Sequence, residues 1–341
     1  MARIVIMSFR LGGTDGVSIE AHKWMSALAL LGHDVVSVAG EGPVDVVIEG
    51  LAIGASTPPA LLDLQRVFNQ ADLVIVENLA SLPLNPGARD VLYAALDGRR
   101  ALFRHHDLAW QRADLAHLEG PRDGAGWHHV TINELSRRQL ADRGVRATTL
   151  MNSFDCDPPR GDRHATRHEL GLDGQRLMLL ATRAIARKNV AGALRLASSL
   201  DAVLWLLGPA EDGYGDELER LLVEANVEVR RGLRSHRSID DAYAASDLVV
   251  MPSTWEGFGN PVLESVTHRR PLALFAYPVA REIMGYGFDF FDLDDVAAID
   301  GFLNVPDLER LAENLAIART HFNLADLPGR LAPLLENLGI G

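Results

Sequence analysis

Short apolar runs recur along this 341-residue chain, and helical patterns or turns separate them. Because the runs lack polar alternation, they are typical of strands buried on both faces of a parallel sheet. In the first half they cover 4–7, 35–38, 73–76, 101–103, 130–132 and 148–151. In the second half they cover 177–181, 203–207, 227–229, 248–251 and 272–275. The alternation predicts an α/β fold with two parallel sheets that bind ligands at the carboxyl ends of their strands.

The segment 155–173 divides the two halves because it is rich in proline, aspartate, glycine and arginine and poor in large apolar residues. We predict an N-terminal domain over 1–154, a linker over 155–173, a C-terminal domain over 174–315 and a terminal helical segment over 316–341. Each domain is long enough to bury its own core. Between the first two strand runs, the apolar spacing over 17–31 predicts a helix that stops at Gly32.

The composition is that of a globular protein, with 23% charged and 48% hydrophobic residues. A formal net charge of −13 supplies no basic surface, which argues against a nucleic-acid partner. The single cysteine, Cys156, cannot form an internal disulfide, and this suits a reducing compartment. The chain opens on a strand pattern rather than a signal peptide, and it has no apolar run of about 20 residues. We therefore expect a cytoplasmic protein without a membrane span.

A glycine-containing loop between two glutamates follows the run at 248–251, and it reads Trp255-Glu256-Gly257-Phe258-Gly259-Asn260-Pro261-Val262-Leu263-Glu264. Asn260 is a favourable N-cap and Pro261 suits the first position of a helix, so a helix is expected to start there. Its first-turn amides would be available to a phosphate group. Carboxylates at Glu256 and Glu264 would repel phosphate, but they suit the hydroxyl groups of a sugar or a ribose. The alternative is a glutamate placed near a helix start only to complement the helix dipole.

This stretch resembles the acidic signature of the retaining nucleotide-sugar glycosyltransferases of family 4. The resemblance implies the GT-B fold, in which two doubly wound Rossmann-like domains face each other across a cleft that holds the active site. It further implies that the C-terminal helix within 316–341 packs back on the N-terminal domain. It also implies that Glu256 contacts the transferred sugar and that Glu264 contacts the ribose of the nucleotide. The loop of Phe258, Gly259 and Asn260 is then expected to contact the phosphate or sugar of the donor.

Two motifs of the first half follow predicted strands. Gly12 and Gly13 lie between the first strand and the first helix, where backbone amides can approach a ligand closely. They match the donor loop of the family, and no G-x-G-x-x-G fingerprint of a dehydrogenase is present. His106 and Asp107 follow the fourth strand, and the resemblance places them against the transferred hexose and the acceptor. His105 is expected to point to the other face, and a metal site is disfavoured because His128-His129 lie far off in sequence.

The second half contributes a cationic motif and a weaker one. Arg183 and Lys188 follow the strand at 177–181, where two cations suit the diphosphate of a donor. Their spacing matches the pyrophosphate clamp of the family, although a solvated basic turn is the alternative. Leu233 and Arg234 fall where the family binds the nucleotide base. Arg269 replaces the glycine that usually follows the acidic helix, so that helix is expected to end without a left-handed glycine.

These motifs together predict a retaining glycosyltransferase that moves a hexose from a UDP- or GDP-hexose to an acceptor hydroxyl group without a metal. His106, Asp107, Arg183, Lys188 and Glu256 are the candidate catalytic residues. The helix at 17–31 carries little positive charge, which favours a small soluble acceptor such as a sugar or a glycerate-type molecule. A sugar-nucleotide epimerase or hydrolase on the same fold and a non-catalytic sugar-nucleotide binding protein remain as alternatives. The sequence does not determine the oligomeric state.

Overall fold

The computed structural model describes residues 1–172 and 174–341, and the chain divides into two compact units. Unit 1 comprises Met1–Ser153 together with Leu324–Gly341, and unit 2 comprises Phe154–Asn323.

Unit 1 is built on a parallel sheet with the strand order β3-β2-β1-β4-β5-β6-β7. Its strands are β1 (Arg3–Arg10), β2 (Asp34–Glu41), β3 (Val46–Val47), β4 (Leu73–Glu77), β5 (Ala101–His105), β6 (Trp127–Thr131) and β7 (Ala147–Thr149). Strands β2 and β3 lie on one side of β1, and strands β4 to β7 lie on its other side. The strand order therefore reverses between β1 and β4. A crevice for a ligand forms at such a reversal, outside the carboxyl ends of the central strands.

Helices cover both faces of this sheet. They are α1 (Gly16–Leu30), α2 (Leu61–Phe68), α3 (Pro86–Leu96) and α4 (Glu134–Ala141). Alternate residues of β1 enter different cores, since Val5 packs with residues of α2 and α3 while Ile4 packs with Trp24 of α1. Helix α1 begins where the apolar spacing predicts it, and the Asp15 carboxylate caps it by accepting from the amides of Val17 and Ser18.

Unit 2 repeats the design with the strand order β10-β9-β8-β11-β12-β13. Its strands are β8 (Arg176–Leu180), β9 (Ala202–Leu206), β10 (Val229–Arg231), β11 (Leu248–Met251), β12 (Leu272–Leu274) and β13 (Phe291–Asp292). Its helices are α5 (Arg163–Glu169), α6 (Val190–Ser199), α7 (Gly215–Glu224), α8 (Ile239–Ala245), α9 (Asn260–Thr267), α10 (Pro278–Met284), α11 (Val296–Asn304) and α12 (Leu308–His321). The strand order reverses between β8 and β11. The predicted fold of two parallel α/β sheets is therefore confirmed.

The two-residue edge strands β3 and β13 are absent from the sequence prediction, because two residues carry no readable periodicity. The segment 155–173, predicted as a linker, contains helix α5, and its residue 173 lies outside the described residues. Arg163 and Arg167 of this helix bind the Asp247 carboxylate at 2.5 and 3.1 Å. Helix α5 therefore packs as part of unit 2.

The segment 316–341, predicted as one terminal helical region, begins inside α12 of unit 2 and ends with helix α13 (Leu327–Asn337) of unit 1. Leu327, Leu331 and Leu335 are spaced one helical turn apart and are buried in the same core as Ile4 and Trp24. The last helix is thus a structural part of unit 1.

No helix among the described residues is both long and apolar enough to cross a lipid bilayer.

Candidate functional site

His106 lies just beyond the carboxyl end of β5, and a carboxylate from the neighbouring strand holds its ring. The Nε2 atom of His106 is 2.6 Å from Oε2 of Glu77, the last residue of β4. Asp107, the next residue, is half-buried, whereas His106 is 5% exposed. The structure therefore places the predicted His–Asp pair at the carboxyl edge of the sheet, beside the reversal of strand order.

Arg104 connects Glu77 to a wider buried cluster. Its guanidinium group is fully buried, with NH1 3.3 Å from Glu77 and NH2 3.2 Å from both Glu20 and Asn152. It also stacks over the ring of Trp24, with 4.4 Å between its Cζ and the ring centroid. Burial by itself raises the pKa of Glu77, but the charge of Arg104 and the hydrogen bond from His106 outweigh it and lower that pKa below its ordinary value. Glu77 is therefore ionised at neutral pH.

The loop after β4 fixes the backbone of the His–Asp pair. The side-chain oxygen of Asn78 accepts hydrogen bonds from the amides of His106 and Asp107, each at 3.1 Å. Asn78 has a φ of +59°, in the left-handed region that asparagine tolerates better than most residues. This buried asparagine therefore holds the main chain of the His–Asp pair at the end of β5.

The glycine loop after β1 is exposed at Gly12 and Gly13. Gly12 has a φ of +77°, and a Cβ atom added there would lie 2.6 Å from Cγ of Pro43. Only glycine fits this turn without a shift of the neighbouring loop.

His105 points away from His106, as the sequence predicts, and forms a buried pair with His129. His105 Nε2 is 2.9 Å from Nδ1 of His129, and the two rings stack with centroids 5.2 Å apart. The distance of His129 along the chain, used above against a metal site, is therefore misleading, because β5 and β6 are neighbours. Burial lowers the pKa of His105 well below its ordinary value and lowers that of His129 to about 4.

In unit 2, the two cations nearest the acidic loop converge on Glu256. Lys188 Nζ lies 2.5 Å from one carboxylate oxygen of Glu256, and Arg187 NH1 lies 2.7 Å from the other. Burial lowers the pKa of Lys188, partly offset by Glu256, whereas the two cations outweigh burial and lower the pKa of Glu256. Lys188 ends a short 3₁₀ turn after β8, and Glu256 follows β11, its neighbour in the sheet. The cluster therefore lies at the reversal of strand order in unit 2.

Arg183 lies after β8 as well, but its guanidinium group pairs with Glu211 rather than with Glu256. Arg183 NH1 is 2.5 Å from Oε2 of Glu211, and both side chains are more than a third exposed. An anion that binds Arg183 must therefore compete with Glu211.

Glu264 lies on α9, one turn beyond the loop. Its carboxylate accepts a 2.7 Å hydrogen bond from the hydroxyl group of Tyr243 on α8. Burial and the charge of Glu264 raise the pKa of Tyr243 well above its ordinary value, so the hydroxyl remains a donor. The Tyr243 ring stacks on His268 with centroids 4.4 Å apart. The position of the Glu264 carboxylate is thus set by a neighbouring helix.

The start of α9 differs from the prediction. Gly259, with a φ of +91°, is the N-cap, and Asn260 is the first helical residue. The predicted N-cap role of Asn260 is wrong, because the left-handed turn at Gly259 reverses the chain one residue earlier. A Cβ atom at Gly259 would lie 2.1 Å from the Tyr277 hydroxyl oxygen. Fewer amides face a ligand than expected, since Pro261 has none and the amide of Val262 donates to Gly259.

Three further predicted residues have distinct surroundings. The Phe258 side chain is buried against Phe154, with ring centroids 5.8 Å apart, so a ligand can meet only the backbone of this residue. Leu233 is half-buried and Arg234 is exposed after β10, in the loop that begins at Gly232.

Among residues 1–172 and 174–341, no cluster of three or more His, Cys, Asp or Glu side chains is arranged to hold a metal ion.

A sequence model of the family described as "Glycosyl transferases group 1" matches residues 162–315. Mannosylglucosylglycerate synthase of Thermotoga maritima is 26% identical to the chain, and the alignment covers 95% of this chain and 97% of that enzyme. The enzyme of the same name from Petrotoga mobilis is 25% identical, with 98% and 97% covered.

Residues 162–315 thus have the sequence of a group 1 glycosyltransferase domain.

Solved structures share the fold of this chain. HepE of Anabaena in complex with UDP-glucose superposes with a TM-score of 0.76 at 17% identity, covering 99% of this chain and 100% of that chain. Sucrose-phosphate synthase from Thermosynechococcus elongatus superposes with a TM-score of 0.75 at 16% identity, with 99% of both chains covered. At these identities the likeness concerns the fold, which is GT-B.

Several partners of the candidate residues in the two units are missing from the sequence motifs. Glu77 and Asn78 form a polar pair directly after the apolar run 73–76, which is a signal that the sequence does carry. Glu211 and Tyr243 have no such signal, because their roles depend on which loop and which helix pack beside them. Arg187, which the sequence motifs do not single out, is a direct partner of Glu256.

Proposed function

We propose that this glycosyltransferase moves a hexose from a nucleoside diphosphate sugar, a UDP- or GDP-hexose, to a hydroxyl group of a small soluble acceptor. The transferred sugar keeps its α configuration. The observation that carries the proposal is the buried Lys188–Glu256 pair, with Arg187 beside it, at the carboxyl ends of β8 and β11. Cations next to a carboxylate at this edge suit a ligand that combines a diphosphate with a polyol.

In the proposed reaction the bond between the anomeric carbon and the diphosphate oxygen breaks while the acceptor oxygen bonds to the same carbon on the same face. The acceptor hydroxyl proton passes to an oxygen of the departing phosphate. Negative charge grows on that phosphate, and Lys188 and Arg183 neutralise it. Donors aimed at developing charge in a water-poor site each lower the barrier by about 2.7–4 kcal/mol.

The carboxylates orient the donor. Glu256 accepts hydrogen bonds from hydroxyl groups of the transferred sugar, and Glu264 accepts them from the ribose. In the structure both Lys188 and Arg187 bind Glu256, so the donor diphosphate must draw Lys188 toward itself. Arg187 then continues to neutralise Glu256. His106 and Asp107 contact the transferred sugar and the acceptor, and Gly12 and Gly13 approach the donor through their backbone.

We propose that the reaction needs no metal ion, because Lys188 and Arg183 provide the positive charge that the leaving group requires. The first-turn amides of α9 contribute less than the sequence suggested, since Pro261 lacks one and that of Val262 is already bonded. This places most of the charge neutralisation on the two side chains.

Two relatives support the proposed class of acceptor. Both are mannosylglucosylglycerate synthases, and alignments to them cover at least 95% of this chain. A glycerate-type acceptor, such as glycerate or a glycosylglycerate, is therefore the substrate that we propose. The complex of HepE with UDP-glucose supports a uridine nucleotide as one donor to test.

The test combines UDP-, GDP- and ADP-activated glucose and mannose with glycerate or glucosylglycerate, in the presence and absence of EDTA. Mass spectrometry detects the glycosylated product, and the anomeric proton coupling in its NMR spectrum reports the configuration. We expect one donor to yield an α-glycoside at the same rate with EDTA. Donor consumption without a glycoside would indicate a hydrolase or an epimerase, and nucleotide binding without turnover would indicate a binding protein.

A further inference from the structure

His106 is held by two consecutive residues of another strand. Glu77 binds its ring at Nε2, 2.6 Å away, and Asn78 accepts from its backbone amide at 3.1 Å. The side chain and the main chain of His106 are therefore both anchored to the end of β4. Two hydrogen bonds, one to the ring and one to the main chain, restrict the orientation of the ring more than packing contacts alone would.

The hydrogen bond between Glu77 and His106 has only one direction. Glu77 is fully buried and ionised, with Arg104 at 3.3 Å. A carboxylate has no hydrogen atom to donate, so Nε2 of His106 must carry the hydrogen.

The cluster around this pair is balanced in charge. The anions Glu20 and Glu77 are offset by two cations, Arg104 at 3.2 and 3.3 Å and Lys23 at 2.5 Å from Glu20. All four groups are at least 85% buried, since the most exposed of them, Lys23, has 15% of its side chain accessible. The charge of Arg104 keeps Glu77 ionised inside this cluster, so its carboxylate remains an acceptor toward His106.

The other ring nitrogen of His106 is available to a ligand. Within the part of the chain that the structure describes, Nδ1 of His106 has no hydrogen-bond partner. The atom is also accessible, because it is not one of the buried polar atoms without a partner. In a neutral ring with its hydrogen on Nε2, Nδ1 presents a lone pair. It can therefore accept a hydrogen bond from a hydroxyl group but cannot donate one.

We propose that Glu77 is a positioning residue that holds His106 as the Nε2–H tautomer, so that Nδ1 accepts a hydrogen bond from a substrate hydroxyl group. This role rests on the proposed function, in which His106 contacts the transferred sugar or the acceptor. A hydroxyl group can donate a hydrogen bond to Nδ1, whereas an ether oxygen or a fluorine atom cannot. The site therefore favours a substrate with a hydroxyl group at that position.

The first measurement is a long-range ¹H–¹⁵N NMR spectrum of the wild-type protein with ¹⁵N-labelled histidine, near neutral pH. The spectrum of a His106→Gln variant identifies the signals of His106 by their loss. We expect the cross-peak pattern of a neutral ring protonated at Nε2. A ring protonated at Nδ1 would overturn the proposal. This readout needs neither substrate nor a variant of Glu77.

The second measurement compares Glu77→Gln with Glu77→Asp. The amide of Gln can donate to Nε2, which permits the other tautomer, whereas Asp keeps the negative charge and only accepts. We expect kcat/KM for the acceptor to fall about 10- to 100-fold in Glu77→Gln and to recover in part in Glu77→Asp. The Kd for the nucleoside diphosphate should stay within about twofold, because its cations lie in unit 2.

The two measurements separate the role of Glu77 from the proposed function. If no sugar nucleotide is turned over, the proposed function fails, and the wild-type NMR spectrum still decides the tautomer that Glu77 imposes. If the enzyme is active and a folded Glu77→Gln variant keeps both the Nε2–H tautomer and the wild-type kcat/KM, then Glu77 does not position His106.

Discussion

Replacement of Lys188 by methionine tests the proposed donor site most directly. The ammonium group is 2.5 Å from Glu256, and its side chain is 9% exposed, so water cannot take its place when it is removed. Loss of one donor that stabilises developing charge lowers kcat by about 10²- to 10³-fold. We expect Lys188→Met to fall within this range, with kcat and kcat/KM both reduced, because the interaction strengthens as the diphosphate departs.

The stability of the variant can be worked out from the same contacts. A buried carboxylate stranded without any partner costs about 3–5 kcal/mol. Glu256 keeps Arg187, however, which lies 2.7 Å from its second oxygen. The loss is therefore that of one charge-assisted hydrogen bond, about 1.5–3 kcal/mol, and methionine fills most of the space that lysine occupied. The protein should remain folded at 25 °C.

The assay measures kcat and KM for the donor together with the free energy of unfolding in urea. Arg220→Met is the matched control, because Arg220 also binds two carboxylates, each at 2.6 Å, but on the exposed surface of α7. It should change kcat/KM by less than about twofold, as surface pairs contribute little. A folded Lys188→Met variant with kcat/KM within about threefold of wild type would refute the assignment of Lys188 to the leaving group.

Three other predictions concern single contacts. Glu211→Gln should lower the donor KM about three- to fivefold without changing kcat, because a half-exposed pair that competes for Arg183 is worth up to about 1 kcal/mol; an unchanged donor KM in initial-rate measurements would contradict this. Arg269→Gly should raise the free energy of unfolding by about 1 kcal/mol, because Arg269 has a φ of +53° that glycine adopts without strain, and a lower melting temperature would show the reverse. The folded-state pKa of His129 is about 4, so between pH 6.5 and 4 the unfolded chain binds a proton that the native state does not. The free energy of unfolding should therefore decrease by about 3 kcal/mol as the pH is lowered through this range. Urea unfolding of His129→Phe should show a shallower pH dependence.

The apolar runs were sufficient to predict the class of fold and most of the strands. β11 spans the predicted residues 248–251, and the other predicted strands overlap observed ones. This succeeds because a strand buried on both faces is determined by its own residues. The same logic placed His106 and Lys188 at strand ends, since parallel strands present their carboxyl ends at one edge of the sheet.

The residues that hold these side chains were decided by the tertiary structure. Arg104 meets Glu77 because β4 pairs with β5 in a register that sets the two residues side by side, and no local pattern encodes that register. Likewise His105 meets His129 only because β5 and β6 are neighbours.

Local conformation at the ends of α9 also depended on the surrounding structure. Asn260 has the residue type of an N-cap, but the space beside Tyr277 admits only glycine at the turn, so Gly259 takes that position. Arg269 adopts the left-handed conformation at the other end although it is not glycine. The sequence alone thus determined which segments become strands and helices and which side chains reach the strand ends. Only the packing of those segments decided the partner, protonation and direction of each side chain, because these depend on atoms that are distant along the chain.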